Sequence, residues 1–466
     1  MAFAAFYNAS VAGDPVYDVL IVGGGPAGST AGRLLAQWGH SVVILAAPPG
    51  RRALAECLPP SHRKLFQFLG IQDAIDTAGF FRTTGNTVWW GARRRVEPYP
   101  EGWGYQVHRG EFDRLLLDLA RAAGAVVRIG KAVSVPGSVR AKFILDCSGR
   151  AGVLARGLRV KEKGSRTVAL CGVWRNEQGW KLPDPSHTLV EAYREGWAWS
   201  VPLSPTVRHV ALMVDARQTG GIGAAYQGEL AKTRAFRRIF SRGRLEGAAW
   251  GRDASLYSSK RFYGPNFLLV GDAGSFLDPL SSFGVRKAMA SAWMAAVVAN
   301  TWLRRPAMRE ASLGFFDDRE RQIYADYLRQ SAAWFRQVSG RFAHPFWLDR
   351  AELAPDQPSW DAAGALEEIR RQPAICLRRA DDVRIEPRPA IEGREVVLRG
   401  ALVTPGLPAG LDYVENVDLP RLVEIAPFHT SVPDLFEAYK RTGPPVGLPQ
   451  FLTALATLVA RKILIQ

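Results

Sequence analysis

Cysteine is scarce in this sequence, and its placement argues against two common kinds of site. The four cysteines are scattered over 466 residues and form no CxxC pair; they are Cys57, Cys147, Cys171 and Cys376. Such spacing supplies neither a zinc ligand set nor a disulfide framework, so we predict no metal site. Scattered free thiols are typical of a reducing compartment, and we therefore expect a cytoplasmic protein.

Long hydrophobic runs are also missing. No apolar stretch approaches the ~20 residues that span a bilayer, so we expect no membrane span. The N-terminal segment MAFAAFYNASVAGDP has neither the basic start nor the sustained apolar stretch of a secretory signal. We interpret residues 1–15 as a disordered tail.

Acidic residues are outnumbered by basic ones. The chain has 60 Lys and Arg against 44 Asp and Glu, which gives a formal net charge of +16. A basic surface suits nucleic acid, an anionic membrane surface or an acidic protein partner, and an arginine-rich proteome would give the same excess. With 47% hydrophobic residues the chain has ample material for a core, and its length predicts roughly three domain-sized units.

A glycine-rich turn near the N-terminus lies between a strand and a helix. The apolar segment YDVLIV (17–22) runs into GGGPAG, and a second apolar strand follows the helix, which predicts a β-α-β unit. Gly23, Gly25 and Gly28 form GxGxxG, whose bare backbone at a helix N-terminus favours a dinucleotide pyrophosphate. The acidic residue expected after the second strand is replaced by Ala46, so the ribose contact must come from elsewhere.

Two further turns follow apolar strands later in the chain. GDAG (271–274) comes after FLLV, and the Asp272 carboxylate can accept hydrogen bonds from ribityl hydroxyls while the glycines permit close approach. Alternatively, Asp272 caps the helix that begins near Gly284. The segment LDCSGR (145–150) ends another strand, and by itself it would be an ordinary turn.

The order of these motifs, with HRGEFD (108–113) between the first and LDCSGR, resembles FAD-dependent aromatic monooxygenases of the para-hydroxybenzoate-hydroxylase type. The resemblance covers about residues 16–300. It implies FAD as the cofactor and contacts to FAD from Arg109 and Asp272. The GDAG turn and the following DPLSSFG loop add three candidate FAD-binding residues, which are Gly271, Pro279 and Gly284.

Two segments are similar to flavin-dependent halogenases. WAWSVP (197–202) resembles their WxWxIP signature, with Val for Ile, and in that family the tryptophans lie beside the flavin. We take Trp199 as a candidate catalytic residue. The alternative is a strand whose tryptophans pack into the core, since positions 197 and 199 share one face. AECLPPSH (55–62) resembles the ES-L-P-P segment of the same enzymes, with Cys57 in place of serine.

The segment GFFRTTGNTVWWG (79–91) favours hydroxylation over halogenation. Halogenases carry a lysine here that steers hypohalous acid to the substrate, and this chain has Thr83 at the position that we match to it. The neighbouring Arg82 is a candidate catalytic residue. It is a poor replacement for the lysine, because arginine is a fixed cation that does not easily release and regain a proton. We therefore predict that reduced FAD and O2 are used to hydroxylate an electron-rich aromatic ring.

Glu56 and His62 are the candidate acid–base residues, because a proton must be supplied to the oxygen that leaves the flavin. Both also have structural interpretations. Glu56 could pair with Arg51 or Arg52, and His62 could be a helix-surface residue.

The fold that we predict is α/β. A Rossmann-like FAD domain of the para-hydroxybenzoate-hydroxylase type occupies 16–165 and 256–305, with part of the substrate sheet near 80–107. The other predicted parts are an inserted β-sheet substrate domain at 166–255, a helical region at 306–375 and a winged-helix-like partner-binding domain at 380–466.

In the C-terminal segment we predict short strands at 383–386 and 395–403 and then three helices at 419–425, 432–440 and 449–462. This succession resembles winged-helix modules that hold a peptide beside a short strand and a helix. It points to flavoproteins that oxidise a tryptophan inside a partner protein during cysteine tryptophylquinone biogenesis. The alternatives are a halogenase or hydroxylase of a small indole, phenol or pyrrole, and a DNA-binding flavoprotein. Residues 380–466 show no recognition helix dense in basic and amide side chains, so we expect no nucleic-acid partner. The resemblance implies either a flavin reductase or NAD(P)H as the electron donor, and the sequence does not identify which of them is used.

Overall fold

The structure is a computed structural model, and it divides the chain into two compact units. Unit 1 comprises 1–306 and 319–356, and unit 2 comprises 307–318 and 357–466. The expected tail lies outside the described residues except for its last position, as do Arg51 and Arg52. The described residues are 15–48, 54–91, 93–130, 139–218, 221–355, 361–372, 374–443 and 445–465.

The secondary structure of unit 1 mixes strands and helices along its length. Its first strands are β1 (Val16–Val22), β2 (Val42–Ala46), β3 (Ala55–Leu58), β4 (Phe81–Thr83), β5 (Gly85–Trp90), β6 (Arg93–Pro98), β7 (Gly104–His108), β8 (Val126–Ile129) and β9 (Arg140–Asp146). They are followed by β10 (Arg159–Lys161), β11 (Thr167–Arg175), β12 (Thr188–Tyr193), β13 (Gly196–Pro202), β14 (Val207–Asp215), β15 (Arg244–Asp253), β16 (Tyr257–Ser259), β17 (Tyr263–Gly264) and β18 (Phe267–Leu269). The helices are α1 (Pro26–Gln37), α2 (Ser61–Phe68), α3 (Gln72–Thr77), α4 (Arg109–Ala122), α5 (Ile222–Lys232), α6 (Ala235–Phe240), α7 (Gly284–Arg304), α8 (Arg309–Ser339) and α9 (Pro345–Ala351). Residues 309–318 of α8 belong to unit 2.

A six-stranded sheet in the order β17-β18-β9-β1-β2-β8 forms the Rossmann-like part of unit 1. All its neighbours are parallel except the edge pair β17–β18. The register aligns the carboxyl ends of β1, β9 and β18, because Asp146 pairs with both Val22 and Leu269. The three turns singled out in the sequence therefore leave the sheet at one edge, which is where α/β sheets bind their ligands.

A seven-stranded sheet in the order β15-β11-β14-β13-β12-β5-β6 carries the WAWSVP segment on its central strand, β13. It is antiparallel except between β5 and β12. The predicted substrate region also contains α5 and α6, which the sequence interpretation as mostly strands missed. Their buried aromatic and aliphatic residues recur at helical spacing but are rich in types that favour strands; they are Tyr226, Leu230, Phe236 and Phe240.

The part of unit 2 that follows its first helix has the expected succession of strands and three helices. Its elements are α10 (Ala362–Arg371), β19 (Arg378–Arg379), β20 (Arg384–Glu392), β21 (Glu395–Thr404), β22 (Leu407–Leu411), β23 (Tyr413–Val414), β24 (Val417–Asp418), α11 (Leu419–Ile425), α12 (Val432–Thr442), α13 (Leu448–Ala460) and β25 (Leu464–Ile465). Strands β20, β21 and β22 form an antiparallel sheet, and the helices contribute fully buried core residues such as Leu422, Tyr439 and Phe451. The assignment to the winged-helix class stays a prediction.

None of the helices in the described part of the chain combines the length and the apolar character needed to cross a bilayer.

Candidate functional site

The first glycine turn is shaped by close backbone packing. Gly23 has a φ of +114°, and a Cβ added there would lie 2.3 Å from the carbonyl oxygen of Cys147. A Cβ at Gly28 would lie 1.8 Å from the carbonyl oxygen of Gly23. These two glycines are therefore required to fit the turn against α1 and the neighbouring strand.

The middle glycine of the motif faces open space instead. A Cβ at Gly25 would meet nothing closer than an Asp113 carboxylate oxygen at 3.8 Å and an Arg109 nitrogen at 4.0 Å. Gly25 is the N-cap of α1, no side chain caps that terminus, and the first helical turn has no acidic residue. The terminus is thus free to accept an anion such as a pyrophosphate.

Arg109 lies beside this helix terminus and is shared by two carboxylates. Its guanidinium lies 3.2 Å from Glu56 Oε1 and forms a two-point contact with Asp113 at 2.9 and 3.1 Å. Burial disfavours its charge, yet the carboxylates of Asp113 and Glu56 outweigh burial and raise the pKa of Arg109. Arg109 is therefore the ion-pair partner of Glu56, while Arg51 and Arg52 lie outside the described residues.

The second glycine turn places Asp272 within electrostatic reach of the same cluster. The side chain of Asp272 is 29% exposed, and its charge contributes to the pKa shifts of both Glu56 and Arg109. The alternative in which Asp272 caps a helix is wrong, because the N-cap of α7 is Phe283 and no side chain caps it. The structure therefore brings together residues from the first turn, from α4 and from the GDAG turn.

Arg159 joins the second turn to the LDCSGR turn, and the sequence analysis missed it. Its guanidinium donates to the carbonyl oxygens of Gly149 and Arg150, and to those of Asp272 and Ala273, at 2.6 to 3.2 Å. An arginine on a short strand 113 residues from its partner carries no local motif, so only the tertiary structure shows this role.

The loop after the GDAG turn ends at another open helix terminus. Asp278 accepts a hydrogen bond from the Leu280 amide at the start of the turn that contains Pro279. Burial raises the pKa of Asp278 to about 6. Gly284 begins α7, and a Cβ added there would meet no atom within 4 Å.

The two candidate acid–base residues differ in their access to solvent. Glu56 remains 23% exposed, and burial raises its pKa in spite of the opposing charge of Arg109. His62 is fully buried, so its interpretation as a helix-surface residue is wrong. Burial lowers the pKa of His62 to about 4, and neither ring nitrogen has a hydrogen-bond partner among the described residues.

Arg82 and Thr83 lie on β4 and point to different environments. Arg82 is exposed and stacks over the Trp103 ring at 4.7 Å, a ring that Arg63 also covers at 4.7 Å. Thr83 is buried and donates its hydroxyl to the Gly85 carbonyl. No described contact joins Arg82 to the cluster around Arg109, and its catalytic role stays a prediction.

The two tryptophans of WAWSVP share a face of the sheet but differ in burial. Trp197 is 2% exposed and packs against Trp90 at 6.5 Å between ring centroids, as the core interpretation predicts. Trp199 is half-buried and packs against Ala55 and Cys57. It therefore lies beside the strand that carries Glu56.

The chain matches known proteins over most of its length. The family model for tryptophan halogenase matches residues 94–359. A tryptophan 2-halogenase of Chondromyces crocatus is 30% identical over an alignment of 365 positions, which covers 71% of this chain and 69% of that protein. A flavin-dependent halogenase of Metacordyceps chlamydosporia is 28% identical over 61% of this chain and 65% of its own length.

Two solved structures share the fold over nearly the whole chain. The flavin-dependent halogenase CmlS has a TM-score of 0.76 at 22% identity, covering 97% of this chain and 96% of its own. The peptidyl tryptophan dihydroxylase QhpG has a TM-score of 0.72 at 23% identity, covering 96% and 99%. The family match and the curated relatives show that this protein belongs to the tryptophan-halogenase family of flavin-dependent enzymes and uses FAD as its cofactor.

Proposed function

We propose that the protein is a monooxygenase that hydroxylates a tryptophan residue of a partner protein. The observation that carries this proposal is the absence of lysine from residues 79–91. Thr83 stands at the position matched to the halogenase lysine, and its hydroxyl is committed to the Gly85 carbonyl. The cation next to it, Arg82, lies in an exposed stack with Trp103.

One of the solved structures that match nearly the whole chain acts on a protein substrate, which supports this part of the proposal. The family model ends at residue 359, close to the start of the main segment of unit 2 at 357. QhpG, which matches 96% of this chain, is a peptidyl tryptophan dihydroxylase essential for tryptophylquinone cofactor biogenesis. The net charge of +16 suits an acidic partner, which long-range attraction would steer to the enzyme. The same charge suits a flavin reductase with an acidic surface.

We assign the FAD-binding roles to the residues that converge at the sheet edge. Gly25 leaves the α1 terminus open for the pyrophosphate, Arg109 lies next to it, and Asp272 presents a carboxylate for ribityl hydroxyls. The remaining residues assigned to the FAD site shape the two turns and the loop that follows; they are Gly23, Gly28, Gly271, Pro279 and Gly284.

When bound and reduced, FAD supplies the activated oxygen atom from O2. The chain must then hold the aromatic ring, exclude water and deliver a proton to the oxygen that leaves the flavin. Glu56 is the proton donor in this proposal, because burial raises its pKa above the ordinary value of a carboxyl group and its side chain is accessible. Trp199 forms part of the wall on the substrate side in this proposal, whereas the neutral His62 is fully buried in the first turn of α2.

Mass spectrometry with isotopically labelled O2 tests the proposal. The full chain with reduced FAD should transfer label to the tryptophan of an acidic tryptophan-containing polypeptide, and chloride or bromide should not change the product. A halogenated ring without labelled oxygen would overturn it. The matched variant Thr83→Lys tests whether a lysine at this position is enough to permit halogenation.

A second candidate is halogenation of a small indole, phenol or pyrrole. It is favoured by the curated relatives, which include a tryptophan 2-halogenase at 30% identity. Free tryptophan and indole are the probes for this function. A halide-dependent product from either of them, with no reaction of the polypeptide, would select it.

A further inference from the structure

The backbone of the GDAG turn is stabilised by hydrogen bonds from side chains of other elements. Each backbone carbonyl from 271 to 275 accepts a hydrogen bond from a side chain, and the donors are Lys287, Arg159, Tyr257 and Ser259. The amide of Gly271 also donates to the Ser291 hydroxyl at 3.0 Å. With its carbonyls bound inward, the turn leaves the Asp272 side chain partly exposed.

Lys287 is the most deeply buried of these donors that carries a charge. Its side chain is 1% exposed, and its ammonium group donates to the carbonyls of Gly271, at 3.2 Å, and of Ser275. The same nitrogen lies 3.8 Å from Asp272 Oδ1. One buried cation thus touches both ends of the turn and the carboxylate between them.

Glu320 on α8 is a second carboxylate whose charge acts on Lys287. Its side chain is fully buried, and neither carboxylate oxygen has a hydrogen-bond partner among the described residues. Burial lowers the pKa of Lys287 and raises that of Glu320, and each residue's charge opposes the shift of the other. A buried lysine is retained only where nearby carboxylates and acceptors stabilise it, as Asp272 and Glu320 do here.

We propose that Lys287 is a positioning residue of the FAD site, which fixes the GDAG turn and orients the Asp272 carboxylate, with Glu320 as its buried counter-charge. This inference rests on the proposed contact between Asp272 and FAD. Lys287 itself is enclosed by protein and acts on the cofactor through Asp272. The sequence gives no sign that this lysine is buried, because Lys287 directly follows Arg286 near the start of α7.

A double-mutant cycle on FAD affinity tests this role. Lys287→Met in the full chain should weaken FAD binding about tenfold or more, because charged hydrogen bonds to the turn are lost. The same substitution in an Asp272→Asn background should weaken binding less than about threefold, since the group that Lys287 orients has been altered. The bound-flavin visible spectrum should change in Lys287→Met as well.

Two control variants separate positioning from general stability. Lys163→Met removes an exposed lysine of unit 1 and should leave FAD affinity unchanged. The double variant Lys287→Met/Glu320→Gln removes both buried charges, and it should unfold at a higher temperature than Lys287→Met without recovering FAD affinity.

Several results would overturn the inference. They are an unchanged FAD affinity in Lys287→Met, an equal loss in the wild-type and Asp272→Asn backgrounds, recovery of affinity in the charge-free double variant, and failure of both Lys287 variants to fold. If Asp272→Asn alone binds FAD as tightly as the wild type, the proposed contact of Asp272 fails instead. Labelled-oxygen transfer to tryptophan is read out independently of all these measurements.

Discussion

The two glycine turns at the proposed FAD site are stabilised in different ways. The first turn is held by backbone packing, since Gly23 and Gly28 lie where any Cβ would overlap a carbonyl oxygen. The second turn is held by side chains from other elements, above all Arg159 and Lys287. The first therefore depends on residue size within a short segment, and the second depends on buried charge supplied from a distance.

The largest effect is expected in the first turn. Gly28→Ala should lower the free energy of unfolding by about 3 kcal/mol or more, because the new Cβ would lie 1.8 Å from the Gly23 carbonyl oxygen. Gly25→Ala is the matched control, with its nearest neighbour at 3.8 Å, and should change stability by less than about 0.5 kcal/mol. Equal losses in urea unfolding would show that backbone packing does not hold this turn.

The loop that follows the second turn should make the free energy of unfolding depend on pH, whereas the first turn should not. Burial raises the pKa of Asp278 from 3.8 to about 6, so folding favours its protonated form. This contribution to stability is complete below about pH 4 and is lost as the pH rises through about 6. Between these limits the wild type should lose on the order of 2–3 kcal/mol relative to Asp278→Asn.

Urea unfolding of the wild type and Asp278→Asn between about pH 4 and pH 8 measures this difference. Asp278→Asn keeps a side-chain oxygen that can accept from the Leu280 amide, so the comparison isolates the charge. Parallel pH profiles of the two proteins would contradict a buried, protonated Asp278.

Arg159→Met should destabilise the second turn, which accepts hydrogen bonds from Arg159, and not the first turn. It deprives four backbone carbonyls of a charged donor, and we expect a loss of about 2 kcal/mol in the free energy of unfolding. Lys161→Met, on the same strand and exposed, should cost less than about 0.5 kcal/mol. A loss no larger than that of Lys161→Met would mean that Arg159 is dispensable to the second turn.

The two tryptophans on β13 should also respond differently to substitution, because one packs in the core and the other lies beside the Glu56 strand. Trp197→Phe should lower the free energy of unfolding by about 1–2 kcal/mol, because Trp197 is fully enclosed in the core. Trp199→Phe should cost less than about 1 kcal/mol but reduce product formation, since Trp199 is half-buried beside the Glu56 strand. If Trp199→Phe alters stability alone, its place at the substrate side is wrong.

The sequence predicted those parts of the fold that depend on local patterns. The β1–α1–β2 unit and the three C-terminal helices follow from hydrophobic periodicity and turn residues, and the structure has them. Helices α5 and α6 were missed, because aromatic residues at helical spacing were interpreted as strands.

The candidate site was predictable where a motif carries its own geometry. Gly25, Arg109 and Asp272 stand in recognisable segments, and the structure brings them together. Arg159 and Glu320 act across more than a hundred residues or across separate elements, so no local pattern could identify them. Ala46 shows the same limit, since the sequence reveals a missing acidic residue but not its substitute.

The central claim is that both glycine turns hold one FAD, and FAD titration of two variants tests it most directly. Gly25→Ala, which places a methyl group at the open α1 terminus, and Asp272→Asn, which removes the second turn's charge, should each weaken FAD binding about tenfold. Wild-type affinity in either variant, with the protein still folded, would show that the corresponding turn does not contact the cofactor.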